Sequence, residues 1–175
     1  MEEVVGPDTA EGAGFEFTRL RQFTIFLENR VGRLQALVKA IEEGPHDIIS
    51  IAIEESADSA LVRMVCAYPD LSRETLRLDG FAFTESEVLA VELPRSRKQP
   101  LLAITAALLT AEINIHYLYP LLQRPSVPAL ILYVEDPTLA TQLLIRKGFT
   151  ILGESDFRQP RPDAEGEDDP NEDVY

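Results

Sequence analysis

Leu27-Glu28-Asn29-Arg30-Val31-Gly32-Arg33-Leu34 joins two segments whose apolar residues repeat with different periods. Before it the apolar residues alternate with polar ones, as in a strand: Phe23, Ile25 and Leu27. After it they recur at i, i+3, i+4 and i+7, as in an amphipathic helix: Leu34, Leu37, Val38 and Ile41. This stretch therefore predicts a tight turn that leads a strand directly into a helix.

The elements that follow this turn predict one βαββαβ unit. Gly44-Pro45 ends the first helix, and strands follow over residues 49–53 and 60–67. A second helix opens at Pro69, ends at Gly80 and leads into a fourth strand over residues 81–85.

The second half of the chain repeats this order, with strands expected over residues 89–93, 113–119 and 129–134. Two local matches support a duplication: Ala60-Leu61-Val62 with Ala129-Leu130-Ile131, and Gly80-Phe81-Ala82-Phe83 with Gly148-Phe149-Thr150-Ile151. The predicted fold class is α+β, with two ferredoxin-like βαββαβ modules that each place their helices on one face of an antiparallel sheet.

Composition predicts where these modules begin and end. Modules are expected over residues 16–86 and 87–157, between a disordered arm at residues 1–15 and a disordered acidic tail at residues 158–175. The net charge is −14, but residues 1–16 and the tail carry twelve of the 30 acidic residues. The middle, with 18 acids and 14 bases, is therefore near −4.

The same composition excludes several classes of function. An acidic chain repels phosphate backbones, so no nucleic-acid partner is expected. No apolar run reaches the ~20 residues of a membrane helix, and the N-terminus carries acids where a secretory signal has bases. A single cysteine, Cys66, suits the reducing cytoplasm.

The turn before the first predicted helix is the main candidate for a binding site. Gly32 stands where the backbone needs a positive φ or a close approach to another group. Unpaired N–H groups at a helix start attract a carboxylate, so a small carboxylate-bearing ligand fits there. An ordinary strand-to-helix turn without a ligand is the alternative.

The turn also resembles that of the ACT domain family, which has the pattern Asn-x-Pro-Gly-x-Leu between its first strand and first helix. Asn29, Gly32 and Leu34 match this pattern, and Val31 replaces the proline. The family also tends to start its second strand with Gly-Ile-Asn-Ile, which Ala111-Glu112-Ile113-Asn114-Ile115 resembles in the second module. Asp47 stands at the equivalent place in the first module.

The resemblance implies that the protein senses an amino acid where two modules meet. The residues it implies in ligand binding are Asn29, Arg30, Val31, Gly32, Arg33, Leu34, Asp47 and Asn114. The ligand's carboxylate is expected on the N–H groups of the turn, and Asp47 is expected to accept from its ammonium group. A hydrophobic amino acid is favoured because apolar residues are expected around the module interface.

The second module departs from the family pattern at its own turn. No glycine lies between Gly80 and Gly148, so close backbone approach is lost there. Arg95, Arg97 and Lys98 form either a basic loop that attracts an anion or an ordinary solvated loop.

No arrangement of residues predicts catalysis, a cofactor or a metal. Cys66 lies in a predicted strand and reads as a buried apolar filler, and the acids near the first hairpin (Glu54, Glu55 and Asp58) read as solvated surface. Tyr117, Tyr119 and Tyr133 predict a sheet face or module interface where their hydroxyls need partners or an exposed edge.

These observations together predict a non-catalytic, amino-acid-binding regulatory protein of the cytoplasm. The alternative is a regulatory or structural subunit that docks on an amino-acid biosynthetic enzyme without binding a ligand itself. A homodimer or larger assembly is expected, because open antiparallel sheets leave edge strands that can pair between chains.

Overall fold

The computed structural model describes residues 19–44, 46–55, 58–122 and 127–158. Seven strands occur in these ranges: β1 Arg19–Glu28, β2 Ile48–Glu55, β3 Ser59–Cys66, β4 Ala82–Glu92, β5 Ile115–Pro120, β6 Ala129–Val134 and β7 Ile151–Leu152. Four α-helices accompany them: α1 Arg33–Glu42, α2 Pro69–Leu78, α3 Pro100–Thr110 and α4 Pro137–Arg146. A short 3₁₀ helix at Glu154–Asp156 follows β7. The predicted arm, and the tail beyond Arg158, lie outside the described residues.

All strand pairs are antiparallel, and the strand order is β2-β3-β1-β4-β6-β5, with β7 on β4. On one face, α1 and α2 cover a core built around Phe23 and Ile25, and α3 and α4 cover a second core built around Leu89 and Val91. Prolines at the first position of three helices preset the helical φ where no N–H is needed. The predicted fold class of two ferredoxin-like units is confirmed.

The two units share one continuous strand. Residues 82–89 of β4 pair with β1, and residues 89–92 pair with β6. The expectation of separate strands at 81–85 and 89–93 was wrong, because residues 86–88 keep pairing with β1 and no glycine or proline interrupts the strand. The expected division between residues 86 and 87 falls inside this strand.

On the opposite face, the sheet curls until its two outer strands meet. The outer strands β2 and β5 approach each other, where Leu122 N donates to Ile49 O at 2.9 Å and Ser50 Oγ donates to Pro120 O at 2.6 Å. A third core forms between the inner faces of the two units, with Val65 from the first and Ile131 from the second. Because the outer strands meet, the edge-pairing argument for a dimer no longer applies along this stretch.

A hydrogen-bonded network beside this inner core joins β1 to β5. Gln22 is fully buried and donates to Tyr117 OH at 2.7 Å, while its Oε1 accepts from Tyr119 OH at 2.8 Å. The Tyr117 and Tyr133 rings stack with centroids 4.9 Å apart. The prediction that these tyrosines line a module interface is confirmed.

An arginine on β1 ties the two units together on the helical face. Arg21 donates to Asp70 at the start of α2 and to Glu154 after β7, at 2.6 and 2.8 Å. These charge-assisted bonds raise the pKa of Arg21 above its ordinary value, the Asp70 bond contributing most. Cys66 is 2 % exposed, and burial raises the pKa of its thiol to about 11, as expected for an apolar filler.

Candidate functional site

The turn between β1 and α1 takes a left-handed conformation at one residue. Gly32 is the N-terminal cap of α1 with φ 89° and ψ −13°, and as a glycine it supplies no capping side chain. A Cβ added at Gly32 would meet nothing within 4 Å, so close packing does not require the glycine. The backbone dihedral requires it. Arg33 N donates to Arg30 O at 3.2 Å, which leaves the N–H groups of Leu34 and Gln35 in the first turn without an intrahelical partner.

Hydrogen bonds hold the turn against the hairpin between β2 and β3. Asn29 N donates to Asp58 O at 3.3 Å, and Asn29 Nδ2 donates to Glu55 Oε1 at 2.8 Å. The Arg33 guanidinium lies over the Phe81 ring, 5.7 Å from its centroid. The asparagine of the turn therefore has a structural role as well as a place in the candidate site.

A cleft of about 290 Å³ opens beside this turn. Its floor is apolar and comes from β1, β2, β3 and the start of α1: Leu27, Ile53, Ala60, Val62 and Leu34. Its rim is charged or polar and carries both signs: Glu28, Asn29, Arg30, Arg33 and Glu55. An apolar floor below cations and carboxylates is complementary to a small zwitterion with an apolar side chain.

The fold agrees with comparisons to known proteins. A family model described as an ACT domain pair matches residues 18–159. The chain belongs to the ACT domain family. No curated protein matches it by sequence.

Solved structures share the fold of this ACT pair. Protein BT0572 from Bacteroides thetaiotaomicron has a TM-score of 0.74 at 22 % identity, over 82 % of this chain and 98 % of that one. The ligand-free regulatory subunit of aspartate kinase from Thermus thermophilus has a TM-score of 0.52 at 11 % identity, over 74 % of this chain and 92 % of that one. At these identities the similarity establishes the fold alone.

Asp47 and Asn114 do not lie beside the turn of the ACT pair. Asp47 O accepts from Ala67 N at 2.9 Å, at the end of β2 that is far from the turn. The eight residues of β2 separate the two ends by about 25 Å. Asn114 stands at the equivalent start of β5 in the second unit. Within one chain, the expectation that Asp47 receives the ammonium of a ligand held at Gly32 is therefore corrected.

Glu55 and Ile53 are the site residues that sequence reasoning missed. A strand that follows a crossover helix runs parallel to the first strand, so its final residues, not its first, return to the level of the β1–α1 turn. The direction of β2, which follows from the order of the elements, is the signal that could have predicted Glu55 at the cleft. Of the hairpin acids, Glu54 fits the predicted solvated surface, being exposed and paired with Arg63 at 2.7 Å.

The second unit repeats the turn with other side chains. Gln99 occupies the place of Gly32, also left-handed with φ 52°, and Pro100 begins α3 without an N–H group. Arg97 donates to Lys147 O at 2.7 Å and lies 4.2 Å over the Phe149 ring. One cation of the predicted basic loop is thus engaged in packing.

A second cleft, of about 380 Å³, lies where β1 and β4 meet the segment after β7. Arg19, Arg21 and Arg158 line it, but each is paired with a carboxylate of Glu87 or Glu154. In the described part of the chain, no group of His, Cys, Asp and Glu side chains is arranged to hold a metal ion. No helix in these ranges is long and apolar enough to cross a membrane.

Proposed function

We propose that this ACT pair is a non-catalytic regulatory protein that binds a free amino acid in the cleft at the β1–α1 turn. The observation that carries the proposal is that one cleft brings together the start of α1, the Glu55 carboxylate and an apolar floor between them. The family and its regulatory-subunit neighbour support a regulatory role.

Each part of an amino acid has a complement in this cleft. The α-carboxylate lies on the N–H groups of Leu34 and Gln35 in the first turn of α1, with the Arg33 guanidinium beside it. The ammonium group binds the Glu55 carboxylate, which takes the role first assigned to Asp47. The side chain of the ligand packs on Leu34 and Ile53, which is half-exposed in the free protein, so an apolar amino acid is favoured.

The proposal includes a cytoplasmic location and a homodimer. A single buried thiol at Cys66 suits a reducing compartment. Output then passes through self-association or through an enzyme partner.

Isothermal titration of the full chain against the twenty amino acids tests the proposal. Binding of at least one amino acid is expected, and Gly32→Gln, which copies Gln99 of the second unit, should weaken it at least tenfold. Glu55→Gln should weaken it similarly by removing the acceptor charge. The matched control is Glu54→Gln, one residue away on the other face of β2, which should bind normally.

Two outcomes contradict the proposal. Silence across the whole panel favours the alternative of a subunit that docks on a biosynthetic enzyme without a ligand. Unchanged affinity in folded Gly32→Gln and Glu55→Gln variants places the binding site elsewhere, with the arginine-lined cleft as the next candidate.

A further inference from the structure

Helix α3 is apolar on its outer side as well as on its buried side. Ile104 and Leu108 are fully buried against the sheet, yet Leu102 and Leu109 on the opposite side are 60 % and 76 % exposed. No charged residue occurs between Lys98 and Glu112. A helix that is hydrophobic all round is normally covered on all sides.

The duplication supplies an internal reference for this face. At an offset of 67 residues, α1 and α3 have the same buried positions, Leu37 with Ile104 and Ile41 with Leu108. The exposed positions differ: Gln35, Lys39 and Glu42 in α1 stand where α3 has Leu102, Ala106 and Leu109. Packing against the sheet is thus satisfied equally in both copies, so it does not explain the apolar outer face of α3.

The outer stripe of α3 is complementary to itself. Leu102, Thr105, Ala106 and Leu109 are spaced symmetrically about the point between Thr105 and Ala106. An antiparallel second α3 therefore places Leu102 against the partner's Leu109, with small side chains at the crossing. Thr105 Oγ1 already bonds to Leu101 O at 3.2 Å and Leu102 O at 3.1 Å, so burial leaves no hydroxyl unsatisfied.

We propose that two copies of this chain associate through α3, antiparallel, about a two-fold axis. Such an axis requires a self-complementary patch. A charge-free stripe also lets two copies of a chain with net charge −14 meet without like charges in contact. The outer strands already approach each other within one chain, which leaves the helix as the better contact.

The size of the stripe sets the strength of the dimer. Eleven helical residues span about 16 Å, and one helix face buries less than the ~800 Å² per partner of a standard interface. We therefore expect a weak dimer that dissociates reversibly. This inference does not depend on amino-acid binding, and a chain that binds no amino acid still dimerises.

Analytical ultracentrifugation of the full chain from about 1 to 300 µM tests the contact. The mass should rise reversibly from 19.5 kDa towards twice that value. Leu102→Gln/Ala106→Lys/Leu109→Glu, which gives α3 the outer residues of α1, should stay monomeric with an unchanged circular dichroism spectrum. Leu78→Gln is the control, because it removes a 77 % exposed leucine from α2 and should leave the dimer intact.

A charge exchange tests the antiparallel arrangement. Leu102→Glu/Leu109→Lys places opposite charges together in the antiparallel pair, so it should dimerise more tightly than Leu102→Glu/Leu109→Glu, which places like charges together. A wild-type chain that stays monomeric at 300 µM overturns the proposal, and so does a triple variant that dimerises as before. A Glu/Lys variant that dimerises no more tightly than the Glu/Glu variant overturns the antiparallel contact.

Discussion

Replacing Gln22 by leucine tests whether the inner faces of the two units pack as a single core. The Gln22 amide also lies 3.2 Å from Thr24 Oγ1 and from Ser86 Oγ, so one side chain joins β1 to both β4 and β5. Leucine has nearly the same volume and leaves little cavity. The cost comes from the partners that lose their hydrogen bonds.

Among the hydrogen-bond partners of Gln22, the Tyr119 hydroxyl is affected most by this substitution. The residue is 6 % exposed, so water has little access to its hydroxyl, and the same burial raises the pKa of this phenol above its ordinary value. Leaving such a hydroxyl without an acceptor costs about 1–3 kcal/mol. For a chain of this size about 2 kcal/mol corresponds to a fall in melting temperature of roughly 4–8 °C.

Denaturant unfolding of three variants measures this effect. Gln22→Leu and Tyr119→Phe should each destabilise, and the double variant should cost at least about 1 kcal/mol less than their sum, because neither partner is then left unpaired. Gln35→Leu, an exposed glutamine on α1, is the control and should stay within about 0.5 kcal/mol of wild type. A Gln22→Leu protein as stable as wild type, or strictly additive costs, would refute a shared inner core.

Charge and burial lead to three further predictions. Arg21→Met should lower the free energy of unfolding by about 1–3 kcal/mol, measured by urea titration, while Arg30→Met, which removes an exposed pair, should change it by less than about 0.5 kcal/mol. Burial lowers the pKa of His46 below 6.5, so its unfolded form binds more protons and the wild-type melting temperature should fall as pH drops below 6.5. His46→Gln should show a smaller fall, and the part that remains comes from carboxylates such as Asp70 and Glu85, whose pKa values are lowered by Arg21 and Arg73. Cys66 should react with a thiol reagent at pH 8 only after unfolding, and rapid labelling of the folded chain would contradict its burial.

Local patterning was sufficient to predict the elements and their order. Turn glycines, helix-opening prolines and the change of period at Asn29–Leu34 each act within a few residues, so they can be read from the sequence. The joining of two strands into β4 was missed because the polar run Thr84-Glu85-Ser86-Glu87 interrupts the apolar pattern and resembles a boundary.

Features that depend on contacts between strands far apart in the sequence could not be predicted from local patterns. Gln22 reads as an outward polar position of an amphipathic strand and is buried only because the sheet curls until β2 meets β5. The misplacement of Asp47 was different in kind. Strand direction in a βαβ unit already places the start of β2 away from the turn, so the order of the elements alone favours Glu55 over Asp47.

The two units differ at the residues on which our two proposals rest, and they agree at the buried positions that pack against the sheet. Gly32 becomes Gln99 at the turn, and the charged outer face of α1 becomes the apolar face of α3. β1 ends at the proposed ligand cleft and pairs with β4, whose last residues Leu89 and Val91 lie in the core under α3. One hydrogen-bonded strand pair thus connects the proposed ligand site to the proposed dimer contact. Linkage between two binding equilibria is reciprocal. If a bound amino acid changes the dimer affinity by some factor, dimerisation must change the amino-acid affinity by the same factor.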